Sequence, residues 1–195
     1  MDATALPSNP PPVHAGPAKS SAWPLVLGIL GIIFALGALL GSLSGFVFLV
    51  AKGPFVRWTA PGAEAEMMAY YTRWTPHMAG FGLIAALLAA LLLTGSIALL
   101  RRRRYSVRLL RTWAVGKGIY AIVYPFWMMP MQRESFEIQR ETMPTPPGAA
   151  NFFDMFASAT PIIAAFQVGW FLVFPIIVLL LLAMPKIREE TRTWP

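Results

Sequence analysis

The chain of 195 residues has no cysteine. A disulfide framework, a thiolate metal site and a cysteine nucleophile are therefore excluded. Charge is also scarce, at 13% of residues, where a soluble domain carries about 25%. A soluble surface depends on those side chains to stay monodisperse, which argues against a water-soluble globule. Only two histidines occur, His14 and His77, and neither H-E-x-x-H nor a Gly-Lys-Ser/Thr phosphate loop is present. Gly41-Ser42-Leu43-Ser44-Gly45 fails as a nucleophile elbow, because that turn needs serine at its third position, where Leu43 stands. No catalytic residue, metal site or cofactor is expected.

Apolar residues are abundant, at 56% of the chain with a mean hydropathy of +0.58. These proportions exclude a disordered chain and point to an all-α integral membrane protein. A net charge of +7 would fit nucleic acid in a soluble protein. In a membrane protein it fits basic loops facing anionic lipid, and no nucleic-acid partner is expected. Arginine and alanine usage points to a GC-rich bacterial genome, and hence to a bacterial inner membrane.

Residues 1–22 are rich in proline, alanine and serine without periodicity, and read as a disordered tail. Four apolar runs follow, within a membrane domain at 23–185. They are placed at about 23–50, 76–100, 112–131 and 161–184, and a short charged tail occupies 186–195. The first run holds seventeen Leu, Ile, Val or Phe and is longer than a signal-peptide core of about 7–15 residues. Thr75 and Pro76 are expected as N-cap and first residue of the second helix. The third run is marginal: Val115, Ile119, Ile122, Val123 and Phe126 contribute about −1.5 to −3 kcal/mol, and Lys117 opposes them. With a boundary near Thr112, Lys117 lies about 7.5 Å deep and snorkels back to the headgroups. Trp113, Tyr124 and Trp127 then suit the interfaces.

Basic residues orient the spans. With a cytoplasmic N-terminus, ten cations fall on the cytoplasmic side, among them Arg101, Arg102, Arg103, Arg104, Arg108 and Arg111, and five fall outside. These arginines are read as topogenic anchors at the lipid headgroups, and both termini as cytoplasmic. Short interfacial helices are expected in the two outer loops, at 61–74 and around 131–142 and 151–159.

Two constellations stand out. Gly37, Gly41 and Gly45 share a helix face at i, i+4 and i+8, and Gly82, Ala86 and Ala90 form a similar ladder on the second run. Small residues at this spacing let backbones approach, so the two faces are expected to pack on each other, with self-association or another membrane subunit as the alternative. Lys117 and Gln167 are the intramembrane polar groups, and depths counted from opposite ends put them about 13 Å apart. No Asp or Glu falls inside any run, which weighs against ion-coupled transport. The expected role is a non-catalytic structural or accessory subunit or partner-binding scaffold. A small oligomeric channel or transporter is the alternative.

Overall fold

The computed structural model describes residues 21–59, 62–142 and 149–195. Among these every regular element is an α-helix: α1 (Trp23–Thr59), α2 (Glu64–Leu100), α3 (Tyr105–Thr142), α4 (Ala149–Ala183) and the short α5 (Pro185–Arg192). Trp23–Trp58, Glu64–Leu100 and Ser158–Ala183 are long and apolar enough to span a membrane. α3 is equally long, but Arg108, Arg111, Lys117 and Arg133 interrupt its apolar residues. Most of the expected 1–22 tail and the PTPPG break lie outside the described residues.

The helices overrun the apolar runs. At 37 residues, α1 and α2 each extend about 55 Å by the helical rise, against an apolar core of about 30 Å. The segments expected as separate interfacial helices are therefore outward extensions of the long ones. Residues 64–74 belong to α2, 131–142 to α3, and 151–159 to α4. Pro76 lies inside α2 rather than at its start. A proline there removes one helical hydrogen bond, the one to the Thr72 carbonyl. Thr72 Oγ1 donates to the Met68 carbonyl at 2.7 Å, Thr75 Oγ1 to the Tyr71 carbonyl, and Lys52 Nζ reaches both threonines.

α2 ends on the arginine run in a Schellman turn. Arg103 N–H donates to the Ala98 carbonyl and Arg102 N–H to that of Leu99, with Arg102 at φ 50°. That left-handed position usually takes glycine. Close packing runs consecutively from α1 to α2, α2 to α3 and α3 to α4, with α5 against α4. α1 and α4 approach through long side chains, chiefly Phe34 stacked on Phe174 at 4.5 Å.

The main core lies toward the arginine end and joins Leu27, Ala35, Leu92, Leu99, Leu110, Trp113, Val178 and Leu182. Trp113 is thus a core residue, edge-on to Phe174, and not an interfacial anchor. The 186–195 tail is folded into the same core through Ile187 and Trp194. A second cluster at the opposite end gathers Val56, Ala63, Met67 and Tyr70. Elsewhere large apolar side chains point outward, Leu40, Ile162 and Phe166 among them, as on helices whose outer solvent is lipid.

Candidate functional site

The tightest helix approaches lie at the arginine end. A side chain at Gly31 would run into Ser96 Oγ, and one at Gly28 would come within 2.6 Å of Leu100. Gly95 and Gly116 admit Leu110 and Leu88 in the same way, seating α3 on α2. Beyond these seams the helices part around a central space.

Gly37, Gly41 and Gly45 face that space. A Cβ at any of the three would meet nothing within 4 Å. They do not touch α2, and the expected ladder partner Gly82 has only the Phe46 ring near it, at 3.7 Å. Ala86 is half-buried and Ala90 exposed, whereas Ala89, one residue earlier, is buried. The α1–α2 seam uses Gly28, Gly31 and Ser96 instead. Glycines of α1 recur along much of its length, and spacing alone does not distinguish a seam from a cavity wall.

The space has two adjoining lobes. The first, about 480 Å³, is floored by Gly41, Ser42 and Gly45 and walled by Phe81, Tyr120 and Tyr124. The second, about 320 Å³, extends toward the arginine end past Gly37, Phe34, Leu92 and Trp113. Ala38, Ala85, Lys117 and Phe171 line both lobes. Among the described residues no carboxylate lines either one.

Lys117 stands at the junction. Its Nζ lies 4.8 Å from the Tyr120 ring centroid and 5.0 Å from that of Phe171. Tyr120 in turn stacks on Tyr124 at 5.2 Å, and Phe81 meets both edge-on. The ammonium therefore lies over two aromatic faces inside the bundle. α3 begins at Tyr105, ahead of the boundary expected at Thr112. Lys117 is twelve residues, about 18 Å, from that start. Ala38 and Ala85, which share its level, are each fifteen residues, about 22 Å, from the arginine-end limits at Trp23 and Leu100. Lys117 is level with the middle of the apolar runs.

Gln167 is half-buried on α4, one turn from Phe171, and lines neither lobe. Its axial offset from Lys117 is thus nearer to about 6 Å than to 13 Å, yet the two side chains are not brought together. His77 sits between Trp74 and Trp127, at 5.3 and 5.9 Å. Among the described residues no cluster of His, Asp and Glu could hold a metal ion.

At the arginine end, Arg101, Arg103, Arg104, Arg108 and Arg111 are exposed and Arg102 is half-buried. Two of them hold structure. Arg102 donates to the Ser21 carbonyl at 3.3 Å, and Arg111 to the free carbonyl of Leu182 near the end of α4 at 3.0 Å. Sequence reasoning missed the binding of this end by Glu190, whose Oε2 accepts from Ser21 Oγ and Trp23 Nε1, each at 2.8 Å. Ile187 and Trp194, the large apolar residues of a charged tail, are the signal that could have found it.

No family model, no curated protein and no solved structure matches this chain. What the described residues define is an all-helical fold with three helices long and apolar enough to cross a membrane.

Proposed function

We propose that this chain is a four-span, non-catalytic protein of the bacterial inner membrane with both termini cytoplasmic. It acts as an accessory subunit that receives one transmembrane helix of a partner chain. Support for the fourth span comes from Arg104 and Pro195. The Arg104 N–H donates to the Pro195 carbonyl at 3.1 Å, so the start of α3 and the end of the α4–α5 segment meet. α3 and α4 form an out-and-back pair, and a membrane crossed by α4 is crossed by α3. Orientation follows from the excess of cations at this end.

The observation that carries the partner-binding role is the groove between α1 and α4. It is about 530 Å³ and lined by Leu30, Phe34, Trp170, Phe174 and Ile177 among others. Lipid tails are as apolar as leucine, so burial alone does not drive association in a bilayer. Fixed concavities that a helix fills better than fluid chains do provide that drive. Bilayer lipid as such is the competing occupant. A photo-crosslinking residue at Ile177, inside the groove, should give a discrete protein adduct in native membranes. The same probe at Leu87, exposed on α2, should give lipid adducts only. Lipid adducts at both positions would remove the partner-binding role.

The Lys117 cavity favours a second reading, a small oligomeric channel or transporter. Anion flux in vesicles reconstituted with the pure chain would select it.

A further inference from the structure

We infer that the twin cavity at Lys117 is a binding site for a single-chain amphiphilic anion of the fatty-carboxylate class. The carboxylate meets Lys117, and the alkyl chain lies in the lobe running toward Gly37 and Trp113. The inference rests on α3 being a membrane span, and it is independent of whether a partner helix fills the α1–α4 groove.

Charge complementarity selects an anion. An ionisable group level with the middle of a bilayer is costly and is ordinarily paired. The Tyr120 and Phe171 rings offer the Lys117 ammonium their faces, which compensates part of its lost hydration. Among the described residues no carboxylate lines the space, and the contacts of Nζ are the two ring faces. The position of a counter-anion is therefore open, beside the phenols of Tyr120 and Tyr124, which can donate to the same oxygens.

The remaining lining selects an amphiphile over a small hydrated ion. Apart from Lys117 and the two phenols, the first lobe is walled by phenylalanine, methionine, leucine, alanine and glycine, and Ser42 Oγ is already donating to the Ala38 carbonyl. Phosphate or chloride would shed its water for too few donors. An alkyl tail instead covers Phe34, Leu88, Leu92 and Trp113 in the second lobe. Both volumes fall within the about 300–1,000 Å³ of ligand pockets. A phospholipid carries its phosphate at the headgroup level, about 18–22 Å away along the helices. The carboxylate of a single-chain lipid has no such tether.

Binding of labelled oleate to the full chain in phosphatidylcholine nanodiscs, corrected for empty discs, tests the site. Saturable binding is expected, with oleyl alcohol weaker by about tenfold or more because it lacks the charge. Lys117→Met should abolish that preference. Gly37→Leu, placed where a side chain meets nothing within 4 Å, should fill the second lobe. It should weaken oleate binding by about tenfold while sparing octanoate. Equal binding of oleate and oleyl alcohol by the parent would overturn the inference. So would displacement of oleate by inorganic phosphate, which marks a small-anion site, or by dioleoyl phosphatidic acid, which marks a headgroup site. Unchanged oleate binding in Gly37→Leu would overturn the placement of the tail. Should Lys117→Met fail to fold, the parent's discrimination and Gly37→Leu still decide.

Discussion

Trp194 stacks on Trp23, with ring centroids 5.6 Å apart and planes 14° from parallel. The contact fastens the segment after α4 to the first turn of α1. Glu190 strengthens the junction by accepting from Trp23 Nε1 and Ser21 Oγ. The two edge helices, which lack close backbone packing on each other, are thus tied at one end by side chains from outside the spans.

Trp194 is buried, but its own Nε1 has no hydrogen-bond partner among the described residues. Its contribution is therefore ring packing. Trp194→Phe should cost about 1 kcal/mol or less, since an offset aromatic pair is worth about 0.5–1.5 kcal/mol and survives the change. Trp194→Ala should cost about 3–5 kcal/mol, the range for emptying a buried tryptophan site. Thermal unfolding in a mild detergent measures both. Equal loss in the two variants would show that the indole N–H, not the ring, holds the junction.

The α1–α2 seam gives a contrast between glycines. Gly31→Ala forces a methyl group against Ser96, whose side chain is fully buried. Overpacking of this kind costs about 1–3 kcal/mol. Gly41→Ala enters open space and should be neutral or stabilising by up to about 1 kcal/mol, because alanine is the better helix former. Ser96 Oγ also lacks a hydrogen-bond partner among the described residues, so Ser96→Ala should be harmless alone and should partly rescue Gly31→Ala. Melting temperatures of the parent, the three single variants and the Gly31→Ala/Ser96→Ala double variant in one detergent test the set. A larger loss at Gly41 than at Gly31 would return the seam to the 37–41–45 face.

That contrast shows where sequence stopped being informative. Apolar runs between proline and arginine breaks are a local, additive signal, and they located the membrane helices near Trp23, Leu100 and Ala183. Helix ends away from the apolar core were not legible. Segments such as 64–74 carry enough charge to read as separate interfacial helices, yet they continue helices already nucleated by the apolar part. Which glycine face meets a neighbour depends on helix rotation, and Gly31 and Gly41 look alike in the sequence. The depth of Lys117 was missed for a related reason. The start of α3 at Tyr105 is set by the Schellman turn at Arg102, not by hydropathy.

At the opposite end, Glu134 makes two contacts from one carboxylate. Oε1 pairs with Arg73 at 2.6 Å, and Oε2 accepts from Trp74 Nε1 at 2.7 Å. The Arg73 side chain is 68% exposed, so Arg73→Ala should cost no more than about 1 kcal/mol. Glu134→Ala also strands the half-buried indole N–H and should cost about 1.5–3 kcal/mol. High salt should narrow the gap between the parent and Arg73→Ala, because an exposed pair is screened. A larger loss from Arg73→Ala than from Glu134→Ala would contradict this ordering.

The four-span arrangement predicts a single compartment for two distant points of the chain. Arg104 and Pro195 are in backbone contact, and Trp194 is packed against the first turn of α1. Reporter fusions after Arg104 and after Pro195 should therefore agree, and the positive-inside bias makes both cytoplasmic. A cysteine introduced at Glu66, exposed near the start of α2, should be labelled by an impermeant reagent added from outside intact cells. One introduced at Lys186 should be labelled only after lysis. A chain without natural cysteine makes the labelling unambiguous. If α3 stayed out of the membrane, α4 alone would lie between Arg104 and Pro195, and the two reporters would disagree. That disagreement would also part Trp194 from Trp23 across the bilayer, and Trp194→Ala would then leave stability unchanged.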